Sequence, residues 1–426
     1  MTDQFEKHEI KRVKLGAVDL DCTLRGKYVS LEKFTNSASI GFCDVLYGWD
    51  IADALYDNAK YTGWHTGFPD GKCTVDRDTF RVIPWEPGTA FFLLDYEAEV
   101  SPRAVLKRVL ERCPFTPYMA AEFEFFLFKE TPESLRAKSY RNLTPLTPGM
   151  FGYSVLRASQ NSAVMIDLLD QLAGFNIPLE GLHTETGPGV YEAAITVEKA
   201  LEAADRAALF KTAVKEILAK HGIVPTFMAK VSPDLPGSSG HLHQSLWRDG
   251  VNLFSAGIEG EMGSYIAGLV EFLPELMALF CPTVNSYKRT VPGAWAPINA
   301  TWGIDNRTTA VRALPSTGKS SRVELRLTGA DINPYLAMAA ALAAGVEGIQ
   351  RGLKPWPPVV DGYNSGAKPL PRSLAEATRA LNASELARDW LGDAFIDHYV
   401  ATREWEVRQF EKAVTDWELA RYLESI

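Results

Sequence analysis

Three short stretches of this chain alternate charged or histidine side chains with apolar ones, at the two-residue period of a β-strand. They are Glu122-Phe123-Glu124-Phe125, His241-Leu242-His243-Gln244-Ser245-Leu246 and Arg322-Val323-Glu324-Leu325-Arg326-Leu327. A strand sends successive side chains to opposite faces. Glu122 and Glu124 therefore share a face, as do His241, His243 and Ser245, and likewise Arg322, Glu324 and Arg326. The opposite face is Phe, Val and Leu and rests on a hydrophobic layer. Carboxylates, imidazoles and guanidinium groups on strands this apolar read as the lining of a charged cavity, because a lone buried charge is costly and needs a partner or a metal.

The rest of the composition narrows the possibilities. A chain of 426 residues that is 46% hydrophobic and 23% charged can bury a large core and predicts more than one domain. A formal net charge of -9 argues against a nucleic-acid surface, which needs clustered Lys and Arg. The first residues lack the apolar core of a signal peptide, and the richest apolar run, around Tyr335 to Ile349, is short and rich in Ala and Gly, so no membrane span is expected. The five cysteines show no CxxC spacing, which fits a cytoplasmic protein without a disulfide framework or zinc site. Any metal must be held by Glu and His.

Residues up to about 100 read as strands (Arg12–Leu20, Tyr28–Ser30, Thr79–Ile83 and Ala90–Tyr96) with a helix near Trp49–Asn58. Pro102 near the start of a helix over Arg103–Arg112 marks a boundary close to residue 105. That divides the chain into residues 1–105 and 106–426. Further helices are predicted at Asn161–Gly174, Val197–His221, Met262–Phe280, Pro334–Gly352, Leu374–Asn382 and Ile396–Leu423, with a Pro- and Gly-rich surface excursion over Gly352–Pro371.

Mg²⁺ and Mn²⁺ prefer oxygen ligands, with imidazole tolerated better by Mn²⁺. The candidates are Glu122 and Glu124, Glu185 and Glu192 flanking Thr186-Gly187-Pro188-Gly189, and His241 and Glu324. A four-residue turn over Thr186–Gly189 would turn Glu185 and Glu192 to one side. Taken singly, each pattern has an ordinary explanation: a solvated Glu-x-Glu face, a structural His-x-His, a cross-strand ion-pair ladder. Together in one acidic chain, without a Walker loop or GxGxxG, they point to a polymetal phosphate site. Arg289, Arg307, Arg312, Lys319, Arg322 and Arg326 follow within a short stretch, and Arg grips carboxylate and phosphate oxygens with a two-pronged fork. Metals facing several Arg suit phosphoryl transfer onto an anionic acceptor.

These residues carry a resemblance to the glutamine synthetase superfamily. The matching stretches are Ala121–Phe128, His183–Glu192, Phe227–Lys230, Gly237–Leu246, Asn285–Arg289, Trp302–Arg307 and Arg322–Arg326, then Asn333–Tyr335. The resemblance implies an α+β fold with an N-terminal β-grasp domain and a larger catalytic domain, in double rings, usually dodecamers, with active sites between neighbouring subunits. By position it implies that Glu124, Glu185 and Glu192 hold one metal, and Glu122, His241 and Glu324 a second. It puts His243, Ser245, Lys319 and Arg322 against ATP, Arg307 and Arg312 against phosphate, and Arg289, Arg326 and Gly237 against glutamate. The implied chemistry is ATP-dependent formation of a γ-glutamyl phosphate, then displacement of phosphate by a nitrogen nucleophile.

The chain departs from the family in three places. Ammonia-using members carry a Glu in the flap after the Asn-Ser-Tyr-Lys-Arg motif; here Trp295 stands in Pro292-Gly293-Ala294-Trp295-Ala296-Pro297. Trp shields an acyl phosphate from water but is no base, and an indole wall suits an alkyl or aryl group. Pro236 precedes Gly237 where Asn is common, and the adenylylation motif of many bacterial members is absent around Gly362-Tyr363-Asn364. The Trp points from ammonia toward a primary amine, with a small alkylamine such as methylamine favoured over aromatic amines and polyamines. A protonated amine needs a proton acceptor; Asp44 and Asp50, of the N-terminal region, are the candidates because the family brings an Asp of a neighbour's N-terminal domain to the ammonium site. The rival readings are an ammonia-using glutamine synthetase and a non-catalytic structural member, the latter opposed by intact Glu and His at all six metal positions.

Overall fold

The computed structural model describes residues 2–36 and 40–426. It is an α+β structure built on two principal sheets. The first has four strands, in the order Leu24–Ser30, Arg12–Val18, Thr89–Tyr96, Cys73–Val82. Its two middle strands run parallel and the outer pairs antiparallel, as a β-grasp sheet requires. Val13, Leu15, Phe92 and Leu94 fill its buried side.

The second sheet is centred on the 13-residue strand Thr116–Phe128. Its sequence explains its two faces. Met119, Ala121, Phe123 and Phe125 are buried, and the Phe123 ring stacks on Phe210 of the helix Ala200–Ala219 with centroids 5.9 Å apart. Glu122 and Glu124 alternate with them and face the other way. From this strand the sheet extends through Gly240–Arg248, Arg322–Leu325, Val311–Leu314 and Trp302–Ile304 on one side, and through Val190–Ile195 and Leu179–Thr184 on the other. The turn between these last two strands falls where expected, and Gly189 there has φ of +73°, a conformation that favours glycine.

Behind the sheet lie two long apolar helices, Glu261–Phe280 and Pro334–Gln350. Their closest approach is at glycine: a Cβ on Gly268 would stand 2.2 Å from the Ala344 carbonyl oxygen and 2.8 Å from Gly348 Cα. Glu261–Phe280 is long and apolar enough to cross a membrane, contrary to the expectation that no such run exists, but 89% of its apolar window is buried within the fold. All five cysteines are free.

Two helices differ from expectation. Trp49–Asn58 is a series of turns preceded by a short 3-10 turn at Asp44–Tyr47. Asp50 accepts hydrogen bonds from the Ala52 and Ala54 amides at 2.8 and 2.9 Å, a local alternative to a helix. The helix expected over Ile396–Leu423 is two helices, Asp393–Lys412 and Asp416–Tyr422, because Thr415 and Glu418 form a capping box that starts the second. A short helix at Glu385–Leu391 adds to those foreseen.

Candidate active site

Strand register builds the site. His243 lies opposite Glu324, which lies opposite Arg312 on the next strand. His241 lies opposite Glu122. Glu124 lies opposite Glu192, which in turn lies opposite His183. Directly opposed residues of an antiparallel pair share a face, so six strands present one line of carboxylates, imidazoles and a guanidinium. Three sets of possible ligand atoms come within 4.8 Å of one another: Glu122, His243 and Glu324; Glu122, Glu192 and His241; His183, Glu185 and Glu192.

Glu324 is the anchor at one end. It is 1% exposed and accepts from Arg312 at 2.8 Å and from Arg326, with His241 Nδ1 at 3.4 Å. Burial alone would raise its carboxyl; the charges of His241, His243 and Arg326 and the Arg312 hydrogen bond overcome that and bring it down to about 2. Glu122 is governed by the same balance. His241 and His243, at 3.6 and 3.3 Å, outweigh its burial and hold it well below the usual carboxylate range.

At the other end anions crowd without cations. Burial, then the charges of Glu124, Glu122 and Glu185, push the Glu192 carboxyl up to about 9. Such an array asks for positive charge. The buried Nε2 atoms of His241 and His243 make no hydrogen bond, and four carboxylates with imidazole form a donor set suited to Mg²⁺ or Mn²⁺. The residues present therefore fit divalent cations.

The two histidines of the His-x-His strand differ. Arg322 Nε–H donates to His243 Nδ1 at 3.2 Å, which puts the proton of a neutral ring on Nε2. That ring is a donor toward anions. His241 has no such partner, and its Nδ1 sits between Glu122 and Glu324.

The remaining expected residues are distributed as follows. Ser245 is buried and accepts from the Trp247 indole N–H at 3.0 Å. Lys319 sits exposed on a short turn whose carbonyls are held by the Asn252 side chain. Arg307 is exposed and its carbonyl accepts from Arg326 Nε at 3.1 Å. Arg312 bridges Glu324 and Asp305. Gly237 permits a close approach: a Cβ there would lie 2.5 Å from Arg289 Cγ.

Arg289 differs from the picture of a side chain reaching for substrate. It is 2% exposed, and its Nη2 donates to the carbonyls of Arg326, Leu327 and Thr328 at 3.2, 3.2 and 2.6 Å. It braces the chain that carries Arg326. Asp44 and Asp50 also stand apart from the cluster. Asp44 is buried and accepts from Thr62 Oγ1 at 2.7 Å; burial, with the charge of Asp70, pushes its carboxyl up. Asp50 accepts from the Trp405 indole as well as the two amides of its own turn. Trp295 is 65% exposed with φ of +56°, on an irregular segment.

Two participants had no assigned role in the sequence reading. His183 Nε2 lies 3.6 Å from Glu192, and Tyr153 stacks on His183 with ring centroids 4.5 Å apart. The signal for His183 was its place two residues before Glu185, the same alternation that marks the other strands. A cavity of about 1180 Å³, lined by Phe128, Tyr140, Pro225 and Met228 among others, includes none of the cluster. Its walls include Glu130, Arg141 and Lys215 but none of the grouped carboxylates and histidines, which lie on the charged face of the sheet.

Comparison with known proteins agrees with this geometry. Residues 99–422 match the family described as glutamine synthetase, catalytic domain. The chain is 48% identical to type-1 glutamine synthetase 2 of Dictyostelium discoideum, over 97% of this chain and 84% of the relative. It is 40% identical to the glutamate–isopropylamine ligase of a Pseudomonas species, over 100% and 97% of the two chains. Gamma-glutamylethanolamide synthetase GlnA4 of Streptomyces coelicolor is 35% identical over 98% of this chain and 93% of its own length. Among solved structures, ligand-free GmaS superposes with a TM-score of 0.84 at 28% identity, covering both chains completely.

Proposed function

We propose that this chain, which belongs to the glutamine synthetase family and is an ATP-dependent carbon–nitrogen ligase, joins the γ-carboxyl group of glutamate to a small primary amine. The observation that carries the reading is Trp295. A carboxylate in that flap would help strip a proton from ammonium. An indole instead offers an apolar surface to an alkyl group, and Trp295 is exposed on the irregular 291–297 segment where it can meet one. Relatives named for isopropylamine and ethanolamide support the same class. Methylamine is the first candidate because nothing in the sequence suggests a polycation pocket.

In this reading the γ-phosphoryl group of ATP passes to the glutamate γ-carboxylate, releasing ADP. The amine nitrogen then bonds to the acyl carbon as the C–O bond to phosphate breaks, and phosphate and a proton leave. Divalent cations held by Glu122, Glu124, Glu185, Glu192, His241 and Glu324 would neutralise the phosphate oxygens. Arg307 and Arg312 offset the charge of the transferring group, and His243, Ser245, Lys319 and Arg322 contact the nucleotide. Arg326, braced by Arg289, whose side chain packs against Gly237, meets the glutamate. We further propose that the unit of residues 1–105 serves a neighbouring copy in a ring assembly, presenting Asp44 or Asp50 as proton acceptor, in the cytoplasm.

A second reading, ammonia as the nucleophile, is favoured by the 48% identity to a protein named as a glutamine synthetase. The test is ATP- and glutamate-dependent phosphate release with ammonium, methylamine, isopropylamine, ethanolamine, putrescine and aniline, with mass detection of the product. Turnover on a small amine exceeding that on ammonium supports the first reading; turnover on ammonium alone overturns it.

A further inference from the structure

His183 and Tyr153 stand at the charged face, yet the proposed ligase chemistry gives neither a task. His183 is on the edge strand Leu179–Thr184 and lies opposite Glu192, which lies opposite Glu124. Directly opposed residues share a face, so the imidazole carries the line of carboxylates one strand further. A ring nitrogen of His183 and carboxylate oxygens of Glu185 and Glu192 lie within 4.8 Å of one another. An edge-strand histidine with no task would be free to turn in solvent. This one is held.

The Tyr153 ring stacks on it, with centroids 4.5 Å and planes 25° apart. Tyr153 has φ of +56°, a left-handed conformation unfavourable for a bulky side chain. Thr184 keeps it there: its carbonyl accepts from the Tyr153 amide at 2.7 Å and its Oγ1 from the Ser154 amide at 2.9 Å. The same Thr184 carbonyl lies 3.1 Å from His183 Nδ1. A carbonyl only accepts, so Nδ1 carries the hydrogen, and Nε2 of the neutral ring carries the lone pair. Nε2 is the atom 3.6 Å from Glu192 Oε2, beyond the reach of a hydrogen bond. Two acceptors held this close call for a cation between them.

We propose that His183 Nε2 is a further ligand of the divalent cation held by Glu185 and Glu192, so that each of the two metal positions takes an imidazole. This rests on the metal reading of the charged face and adds a residue to it. Ligands about 2.1 Å from one ion stand about 3 Å apart as neighbours and about 4.2 Å apart as opposites, a range that spans the observed gap. Metal-bound histidines commonly give their other N–H to a backbone carbonyl, which fixes the tautomer and the ring. Thr184 supplies that carbonyl here, and Tyr153 fixes the ring plane. The competing arrangement, an imidazolium paired with Glu192, sets a further positive charge beside a divalent ion and is disfavoured once the ion binds. Mg²⁺ favours an all-oxygen shell and Mn²⁺ accepts imidazole, so His183 biases this position toward Mn²⁺.

Mn²⁺ titrated into the metal-free full-length protein, with free Mn²⁺ read by its electron paramagnetic resonance signal, tests this without turnover. His183→Ala should weaken one Mn²⁺ position by roughly tenfold or more, and Mg²⁺ binding, read by competition, by a smaller factor. The side chain is 34% exposed, so the variant keeps its fold, checked by the melting temperature without metal. Pulsed resonance on bound Mn²⁺ then reports nitrogen ligands directly. The nitrogen coupling should persist in His241→Ala and vanish when His183→Ala is added. An unchanged Mn²⁺ isotherm in His183→Ala, or loss of all nitrogen coupling in His241→Ala alone, overturns the assignment and leaves the carboxylate site standing. If the unmodified protein binds no Mn²⁺, the metal reading fails first and takes this one with it.

Discussion

At the scale of single residues, Glu324 and Trp295 make opposite kinds of contribution. Glu324 is almost wholly buried and is the shared acceptor of Arg312 and Arg326, with His241 Nδ1 beside it. Removing it leaves two buried guanidinium groups without their counter-charge. Glu324→Ala should cost about 3–5 kcal/mol of stability as well as activity, measured by urea unfolding without added metal, whereas Glu324→Gln should recover part of the stability and none of the activity. Trp295 touches the solvent, so Trp295→Ala should change stability by no more than about 0.5 kcal/mol while altering which amines are used. The alternation in the sequence announced which face each of these charged residues would occupy. It did not announce that Glu324 would serve both Arg312 and Arg326, because Arg312 joins through the register of a strand with no distinctive pattern of its own. Arg289 was equally opaque. Nothing in its sequence neighbourhood says that this guanidinium would be buried against main-chain carbonyls.

At the scale of secondary-structure elements, period-two patterns were the most legible. The strand Thr116–Phe128 could be read from Glu122-Phe123-Glu124-Phe125 because its apolar side packs on a helix and its polar side on the site. The misread elements are those where local side-chain hydrogen bonds decide the backbone. Asp50 captures two amides and stops a helix; Thr415 and Glu418 divide a longer one. The capping signature Thr-x-x-Glu stands in the sequence at 415–418 but was overridden by the apolar periodicity on either side. The packing of Glu261–Phe280 against Pro334–Gln350 is a further element-scale feature, since Ala- and Gly-rich composition indicates close approach without naming the partner. A methyl group on Gly268 would meet the backbone of the other helix at 2.2 Å, and backbone cannot step aside as a flexible side chain can. Gly268→Ala should therefore destabilise the protein by about 1–3 kcal/mol or more, read as a lower urea midpoint, despite the higher helix propensity of Ala.

At the scale of the whole molecule, His398 ties the N-terminal segment to the C-terminal helix. Its Nδ1 accepts from the Lys60 and Tyr61 amides at 3.2 and 3.1 Å, and its Nε2–H donates to the Tyr47 carbonyl at 2.8 Å. Burial, reinforced by the charge of Arg403, lowers the ring to about 4 although the Tyr47 carbonyl opposes this. The unfolded chain therefore takes up a proton near pH 6.5 that the folded protein refuses until about 4, so stability is full above 6.5 and falls as pH drops through that window. The loss reaches roughly 3 kcal/mol at its limit. Urea unfolding at pH 7.5, 6 and 5 should show this slope in the native protein and a shallower one in His398→Gln. No sequence pattern foretold this contact, which joins residues more than 330 positions apart. The charged face of the larger sheet was foreseen because each strand carries its own alternation, whereas contacts of this kind depend on how distant parts of the chain are brought together.

The central claim is that the nucleophile is an amine, and competition tests it most directly. The enzyme would be given ATP, glutamate and Mg²⁺ with equal concentrations of methylamine and ammonium in one vessel, and the products separated by mass. The ratio of γ-glutamylmethylamide to glutamine reads the ratio of kcat/KM values for the two nucleophiles. A ratio of about ten or more in favour of the methylamide, corrected for the two protonation equilibria, is the predicted result, about 1.4 kcal/mol of discrimination. A product that is predominantly glutamine would contradict the account.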